Sequence, residues 1–383
     1  MSKLFDPTEI NGMTLKNRFV RSATWEGMAT DDGACTPKLL DTIARLAEGG
    51  VGLIITGHAY VKKQGQAVEW QLGIYEDSLI PGLREMTDAV HQSDGRIIAQ
   101  LAHSGLFADP ALTGHPPLGP SAISGITKHT VHEMTLSDIR NVVESFGLAA
   151  QRAQKAGFDG IQLHVAHGYL LSQFLSPFFN RRSDRYGGNI ENRAIIHLEI
   201  IDAVRSYVGS DYPVLIKMNT RDFIEGGLEL EEALKAGKLL AQNPLDAIEL
   251  SGGTGLSGKF NPIRTGIRKQ ADEAYFEDAA VLFKEHIDIP IILVGGIRSF
   301  EVAERIVNSG IADHISMSRP FIREPDLINR WKSGDLSKAG CLSDSRCFVP
   351  ARTGKGIYCV MEERERKKGS KSNLPQRPQS SRR

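Results

Sequence analysis

Short runs of apolar, mostly β-branched residues alternate along the chain with longer stretches in which apolar residues recur three and four positions apart. The first pattern predicts buried strands and the second amphipathic helices. Eight such pairs follow one another. Strands are expected at Phe19–Ala23, Gly52–Thr56, Arg96–Leu101, Gly160–His164, Val214–Met218, Ala247–Ser251, Ile291–Val294 and His314–Ser318. Helices are expected at about 37–48, 77–93, 135–156, 189–208, 229–243, 276–286, 299–309 and 326–334. Thr135 with Asp138 three residues on, and Asn189 before Ile190 and Glu191, read as helix starts, while Gly157 and Gly310 read as stops.

Strict strand–helix alternation builds a parallel sheet, and eight consecutive units fit a single (β/α)8 TIM barrel of the α/β class better than an open doubly wound sheet, which usually has fewer strands. The length beyond a minimal barrel falls in loops after strands three, four and six. These leave the C-terminal strand ends, where barrels of this kind keep their active sites. The loop at about 102–134 holds Pro110, Pro116, Pro117, Pro120 and four His, which is too long and stiff for a mere connection. Residues 1–361 are expected to form the barrel with a Cys-containing C-terminal cap. The remaining 362–383, with 8 basic and 3 acidic residues and few apolar ones, read as a disordered basic tail.

Composition narrows the function. Across 383 residues, 46 Lys+Arg balance 46 Asp+Glu and 41% are hydrophobic, so the chain is too apolar to be disordered and carries no net field toward nucleic acid or membrane. The expected partner is a small molecule, with no nucleic acid and no membrane, and a homo-oligomer is compatible with this. The start lacks a signal-peptide apolar core and the apolar runs are strand-sized, which implies a soluble cytoplasmic protein. Four Cys, three of them in 341–359, do not make a disulfide framework.

Residues at the strand ends carry the candidate chemistry. Strand one ends in Ser22-Ala23-Thr24, strand two in Thr56-Gly57, strand three in Gln100 with His103 after it, strand five in Lys217 and strand six in Ser251. Gly295-Gly296 after strand seven lets backbone N–H groups approach an anion, and Ser318-Arg319 after strand eight adds donors and a positive fork. The blander alternative is a glycine turn with Arg319 paired to a surface carboxylate. After strand four, His164, His167 and Tyr169 bring together two imidazoles and a phenol, which suit the holding of a ligand oxygen and the supply of a proton. Ordinary loop histidines and metal ligation are the alternatives, although the pair lacks a nearby carboxylate or Cys to complete a zinc site. Gly253-Thr-Gly255-Leu-Ser-Gly258 matches GxGxxG but is followed by Pro262 and no helical pattern, so a dinucleotide fold is a poor reading.

Three stretches are specific enough to carry a resemblance: Asn17-Arg18-Phe19-Val20, Ala99-Gln100-Leu101-x-His103-x-Gly105, and the run HVAHGYLLSQFLSPFFNRRSDRYGGNIENR from His164 to Arg193. Through them, residues 3–361 resemble the Old Yellow Enzyme family of FMN-dependent ene-reductases, in particular its NADH:flavin oxidoreductase and 2,4-dienoyl-CoA reductase-like branch. The resemblance implies FMN across the barrel mouth and NAD(P)H as hydride donor. It implies that Ser22, Ala23 and Thr24 line the flavin, that Gly57 passes its ring edge, that Gln100 bonds its pyrimidine part and that Lys217 lies near N1 and O2. Gly295, Gly296, Ser318 and Arg319 would take the phosphate. His164 and His167 would bind the substrate oxygen, and Tyr169 would donate the proton.

This sequence departs from the family's pattern at several positions. Trp25 stands where relatives place Thr or Cys, and so becomes a candidate substrate-binding residue. Lys217 replaces a frequent Arg, and so does Leu106. Where the dienoyl-CoA reductase branch holds a four-iron cluster on four Cys, this chain has Cys341, Asp344, Cys347 and Cys359. Soft thiolates suit iron–sulfur sites and Asp suits them poorly, so a vestigial site without metal is expected, with a labile cluster or structural zinc as the alternatives. The activity implied is NAD(P)H-dependent reduction of activated C=C bonds. The alternatives are an NADH oxidase or flavin reductase, a flavin-binding barrel without turnover, and a metal-dependent lyase using His164 and His167.

Overall fold

The computed structural model describes residues 2–372. Eight strands, β1 (Phe19–Arg21), β2 (Leu53–Ile55), β3 (Arg96–Ala102), β4 (Gly160–Val165), β5 (Val214–Asn219), β6 (Ala247–Ser251), β7 (Ile291–Val294) and β8 (His314–Met317), pair in sequence order, all parallel. The pairing of β8 with β1 closes the ring into a (β/α)8 barrel. Around it lie α1 (Pro37–Glu48), α2 (Ile80–His91), α3 (Leu136–Lys155), α4 (Ile190–Val208), α5 (Leu230–Ala241), α6 (Glu277–Lys284), α7 (Phe300–Asn308) and α8 (Leu327–Lys332).

The caps anticipated from sequence are formed. Thr135 and Asp138 exchange side-chain and backbone hydrogen bonds in a capping box at α3, and Asn189 Oδ1 accepts from Asn192 N at α4. Helix α1 buries Leu39, Ile43, Leu46 and Ala47, a stripe at intervals of four, three and one that turns one face to the sheet. Element ends differ from expectation by one to three residues in most cases. Strand β1 stops at Arg21, leaving Ser22–Thr24 free to turn across the barrel mouth. Residues 77–79 form a 3-10 turn before α2, whose second residue is Pro81.

Side chains of a strand alternate between faces, so the inward residues follow from the register. The lower interior is apolar: Val20, Leu53, Ile55, Ile98, Leu215, Ala247 and Ile292 form one buried cluster. One alternation higher come Ser22, just past the end of β1, and Gln100, Lys217, Glu249 and Ser316 from β3, β5, β6 and β8, all buried. The barrel therefore changes from hydrocarbon to polar along its axis toward the C-terminal face.

Two features lie outside the eight-unit pattern. A hairpin, Thr8–Ile10 with Met13–Leu15, turns through Asn11 and Gly12 (φ 43° and 77°) and adds Ile10, Met13 and Leu15 to the apolar cluster, sealing the lower end. At the C-terminus, helix Val360–Ser372 enters the segment expected to be a disordered tail. Glu362–Arg366 and Glu363–Lys367 pair along it at 3.9 and 2.6 Å, and Arg323 holds Glu365 at 2.8 Å. Charges that read as solvated in sequence are thus spaced to support a helix. The rest of that tail, 373–383, lies outside the described residues. No helix among those described is long and apolar enough to cross a membrane.

Candidate active site

The C-terminal ends of the strands open into a cavity of about 900 Å³. Its floor is the polar layer. Glu249, fully buried, accepts from Ser22 Oγ (2.7 Å), Ser316 Oγ (2.8 Å) and Lys217 Nζ (3.1 Å) on Oε1, and from Gln162 Nε2 (2.9 Å) on Oε2. Gln162 Oε1 in turn accepts from Gln100 Nε2 at 2.7 Å. Burial works against ionisation of Glu249, but Lys217 and the three neutral donors outweigh it and hold the carboxyl below its ordinary range. The Lys217 ammonium, which lines the cavity, is thereby fixed from below.

One end of the cavity gathers glycine backbone, hydroxyls and two guanidinium groups. Gly295 and Gly296 leave β7 at φ 150° and 73°, and a Cβ on Gly296 would stand 2.9 Å from a Tyr275 ring carbon. Two residues on, Arg298 donates Nη1 to the Cys341 carbonyl at 2.7 Å, while its buried Nε and Nη2 have no hydrogen-bond partner. Glu273 ties down the same turn by accepting from Arg298 N and Ser299 N, each at 2.9 Å. From β8, Ser318 shares a 2.6 Å hydrogen bond with Thr24, and Arg319 Nη1 donates to Ser345 Oγ at 2.9 Å. Among the described residues Arg319 pairs with no carboxylate, so the surface ion pair that the sequence left open is not formed. Buried guanidinium N–H groups without acceptors are costly unless a ligand takes them up.

The opposite wall carries the ring cluster. Beyond β4 the chain reverses through two residues at positive φ, His167 (66°) and Gly168 (80°). The loop is pinned by Gln173, whose Nε2 donates to Ser104 O and Gly168 O at 3.0 and 2.6 Å. His167 N donates to Asn219 Oδ1 at 3.1 Å, and its Nε2 lies 2.8 Å from Ser251 Oγ. His164 stands edge-on to both His167 and Tyr169, with ring centroids 5.0 Å apart in each case, and its Nδ1 is buried without a partner. Burial, then the neighbouring His167, His58 and Lys217, push His164 well below the usual imidazole range, and burial, Lys217 and His58 do the same to His167. Burial pushes the Tyr169 phenol up to about 12. At neutral pH the site therefore offers two uncharged imidazoles and a protonated phenol. Trp25 lines the same space, and its indole N–H is buried with no acceptor.

Of the residues singled out in sequence, Ser22, Ala23, Thr24, Trp25, Gln100, His164, His167, Tyr169, Lys217, Gly296, Ser318 and Arg319 line this one cavity. Gly57 and Gly295 do not. Gly57 packs against Glu26 and Thr24, where a Cβ would fall 2.3 Å from the Glu26 carboxylate, and Gly295 abuts Tyr275 N. Their glycine identity is set by packing against protein. Sequence reasoning missed His58 and Arg298, which line the cavity, and Gln162 and Glu249 beneath it. The last two were detectable as polar residues inside IQLHV and AIELS, where a buried strand should be apolar. Cys341, Cys347 and Cys359 line a separate cavity of about 20 Å³ with Asp344. Burial raises the Cys341 thiol and pushes that of Cys347 up to about 12. Among the described residues no group of three or more His, Cys, Asp or Glu is placed to hold a metal ion.

Residues 3–337 match the NADH:flavin oxidoreductase / NADH oxidase family. The chain is similar to a metal reductase of Desulforamulus reducens, 36% identical over 335 residues that cover 87% of this chain and 49% of that protein. It is also similar to an NADPH dehydrogenase of Halalkalibacterium halodurans, 36% identical over 324 residues that cover 84% and 92%. Among solved structures, an old yellow enzyme homologue from Zymomonas mobilis superposes with a TM-score of 0.75 at 28% identity, covering 88% of this chain and 94% of that one. The chain thus spans about half the length of the metal reductase but nearly all of the other two.

Proposed function

The chain belongs to the NADH:flavin oxidoreductase / NADH oxidase family, and from that premise we propose that it reduces activated C=C bonds of α,β-unsaturated carbonyl compounds with NAD(P)H as the hydride source. FMN, the cofactor of the family, supplies the hydride acceptance and donation. The residues present fit it. The Arg298 N–H groups, of which Nη2 has no hydrogen-bond acceptor and Nε has only the Glu273 carboxylate at 3.9 Å, the close backbone at Gly296, and Ser318 and Arg319 suit a phosphate, while Ser22, Ala23, Thr24, Gln100 and Lys217 present a polar floor to a heterocycle.

The observation that carries the reading is the convergence of His164, His167 and Tyr169 on one wall, the first buried, the other two half-buried, and all uncharged. The two imidazoles hold the substrate's carbonyl oxygen and draw electron density from the C=C bond toward it. Tyr169 then releases its proton to the α-carbon while the β-carbon receives the hydride. Desolvation favours the first role, because neutral donors bind a carbonyl without the cost of burying charge, and it keeps the Tyr169 phenol protonated until the transfer. The test is anaerobic reduction of the purified holoprotein with NADH and with NADPH, followed by mixing with an enone, a nitroalkene, oxygen and free flavin. Fast reoxidation by the enone with formation of the saturated ketone supports the proposal. Reoxidation by oxygen or flavin alone would replace it with an oxidase or flavin-reductase reading.

A further inference from the structure

Tyr169 does not act from an empty setting. Its phenol oxygen lies 3.0 Å from Nε2 of His58, a residue that follows Gly57 in the loop after β2, two strands away around the ring. The two rings stand 5.3 Å apart at 41°, and His58 also reaches to 6.2 Å from His164. The His58 backbone is held in place, since its carbonyl accepts from Gln71 Nε2 at 3.0 Å and Gln71 Oε1 accepts from Ala67 N at 2.7 Å.

A 3.0 Å contact between an imidazole nitrogen and a phenol has two arrangements. With the phenol as donor, its hydrogen points at His58 and away from the ligand space, and the ring's own hydrogen sits on Nδ1, which is buried without a partner. With Nε2–H as donor, Nδ1 keeps only a lone pair and the phenol hydrogen is free to face the cavity. We propose that His58 is a positioning residue for Tyr169, donating Nε2–H to the phenol oxygen so that the phenol proton is aimed at the substrate. This rests on the reading of Tyr169 as proton donor.

The same hydrogen bond acts after the proton has left. The Oη–H bond breaks, the new C–H bond forms at the α-carbon, and the phenolate remains hydrogen-bonded to Nε2–H until water restores its proton on product release. His58 keeps its own proton throughout. Burial supports a neutral donor here, since it pushes the His58 imidazole down to about 4. Among the described residues His164 stands beside both rings, with His167 next to it and Lys217 acting on those two imidazoles. A phenolate formed in such a desolvated pocket needs a fixed donor more than an exposed one does.

Four holoenzyme variants test this: His58→Leu, His58→Gln, Tyr169→Phe and the double variant His58→Leu/Tyr169→Phe. His58→Leu is expected to slow reoxidation by 2-cyclohexenone by about tenfold or more and to raise its solvent deuterium isotope effect, leaving flavin reduction by NAD(P)H within about twofold. His58→Gln, whose amide keeps an N–H donor at similar reach, is expected to recover most of the rate. In the Tyr169→Phe background, removing His58 should cost nothing further. An unchanged rate in His58→Leu, or an equal loss with and without Tyr169, overturns the inference. Full activity in Tyr169→Phe alone overturns instead the assignment of Tyr169 as donor. If His58→Leu loses flavin, His58→Met serves as the donorless variant.

Discussion

Lys217 and Glu249 are register partners on β5 and β6, with Nζ and Oε1 3.1 Å apart and both side chains buried at the centre of the barrel. The pair sits where the interior changes from apolar to polar, with Glu249 fully buried and Lys217 almost so at the cavity floor. Serine and glutamine donors satisfy the remaining lone pairs of the carboxylate. A cation that lines the cavity is thus kept at low net cost by an anion one strand away.

That arrangement sets the first expectation. Glu249→Leu leaves Lys217 buried and unpaired and should lower stability by roughly 3–5 kcal/mol. Glu249→Gln, which keeps part of the hydrogen-bond set, should lose less. Urea unfolding of the holoproteins followed by circular dichroism measures both. Equal stability of Glu249→Leu and the parent would show that the pair is not coupled.

A second expectation concerns acid. Buried His314 has no partner on either ring nitrogen, and burial pushes it down to about 4. An unfolded histidine titrates near 6.5, so between about 6.5 and 4 the unfolded chain binds the proton and the folded one does not. The stabilising contribution is therefore complete above that window and is lost as pH falls through it. His58 and His197, also near 4, add to the same slope. His314→Leu should leave the thermal midpoint at pH 7.5 nearly unchanged and raise it at pH 5, giving a flatter profile. A profile parallel to that of the parent would count against a neutral His314.

At the arginine-bearing end of the cavity, Arg319→Ala and Arg298→Ala should each weaken FMN retention, by about tenfold or more for a charged hydrogen bond. Fluorescence titration of the apoprotein with FMN reads this directly. Riboflavin, which lacks the phosphate, should bind all three proteins alike. A matching loss for riboflavin would move the role of these arginines from phosphate to ring.

The imidazole pair should matter to the acceptor rather than to the flavin. Replacing both His164 and His167 by Ala is expected to leave a yellow protein that NAD(P)H still reduces, with enone reoxidation slowed by about 10²-fold. Stopped-flow measurement of the two half-reactions separates these effects. Loss of flavin in that variant would instead make the pair part of the cofactor site.

The strands were legible because a buried parallel strand leaves a continuous apolar signature, and the site lining followed from reading the strand ends in order. What escaped detection came from other signals. The hairpin at the barrel's lower end announces itself through Asn11-Gly12 between alternating residues, but its strands of three residues each fall below the length at which alternation is persuasive. His58 looked like a loop residue because its partner lies 111 positions away. Gln162 and Glu249 break the apolar runs of β4 and β6, and only closure of the ring brings them onto one network. The C-terminal helix was hidden by its own charge, which composition reads as solvation and geometry resolves into pairs four residues apart.

Because Ile10, Met13 and Leu15 stopper the lower end, the barrel is a cup and not a tube. Traffic in such a vessel is two-way through a single rim. Under the proposed function, in which both ligands use this cavity, a spent nicotinamide must back out past the place where an acceptor waits, and neither can queue behind the other. Turnover then has the rhythm of an alternating door, in which an excess of either visitor holds the other outside.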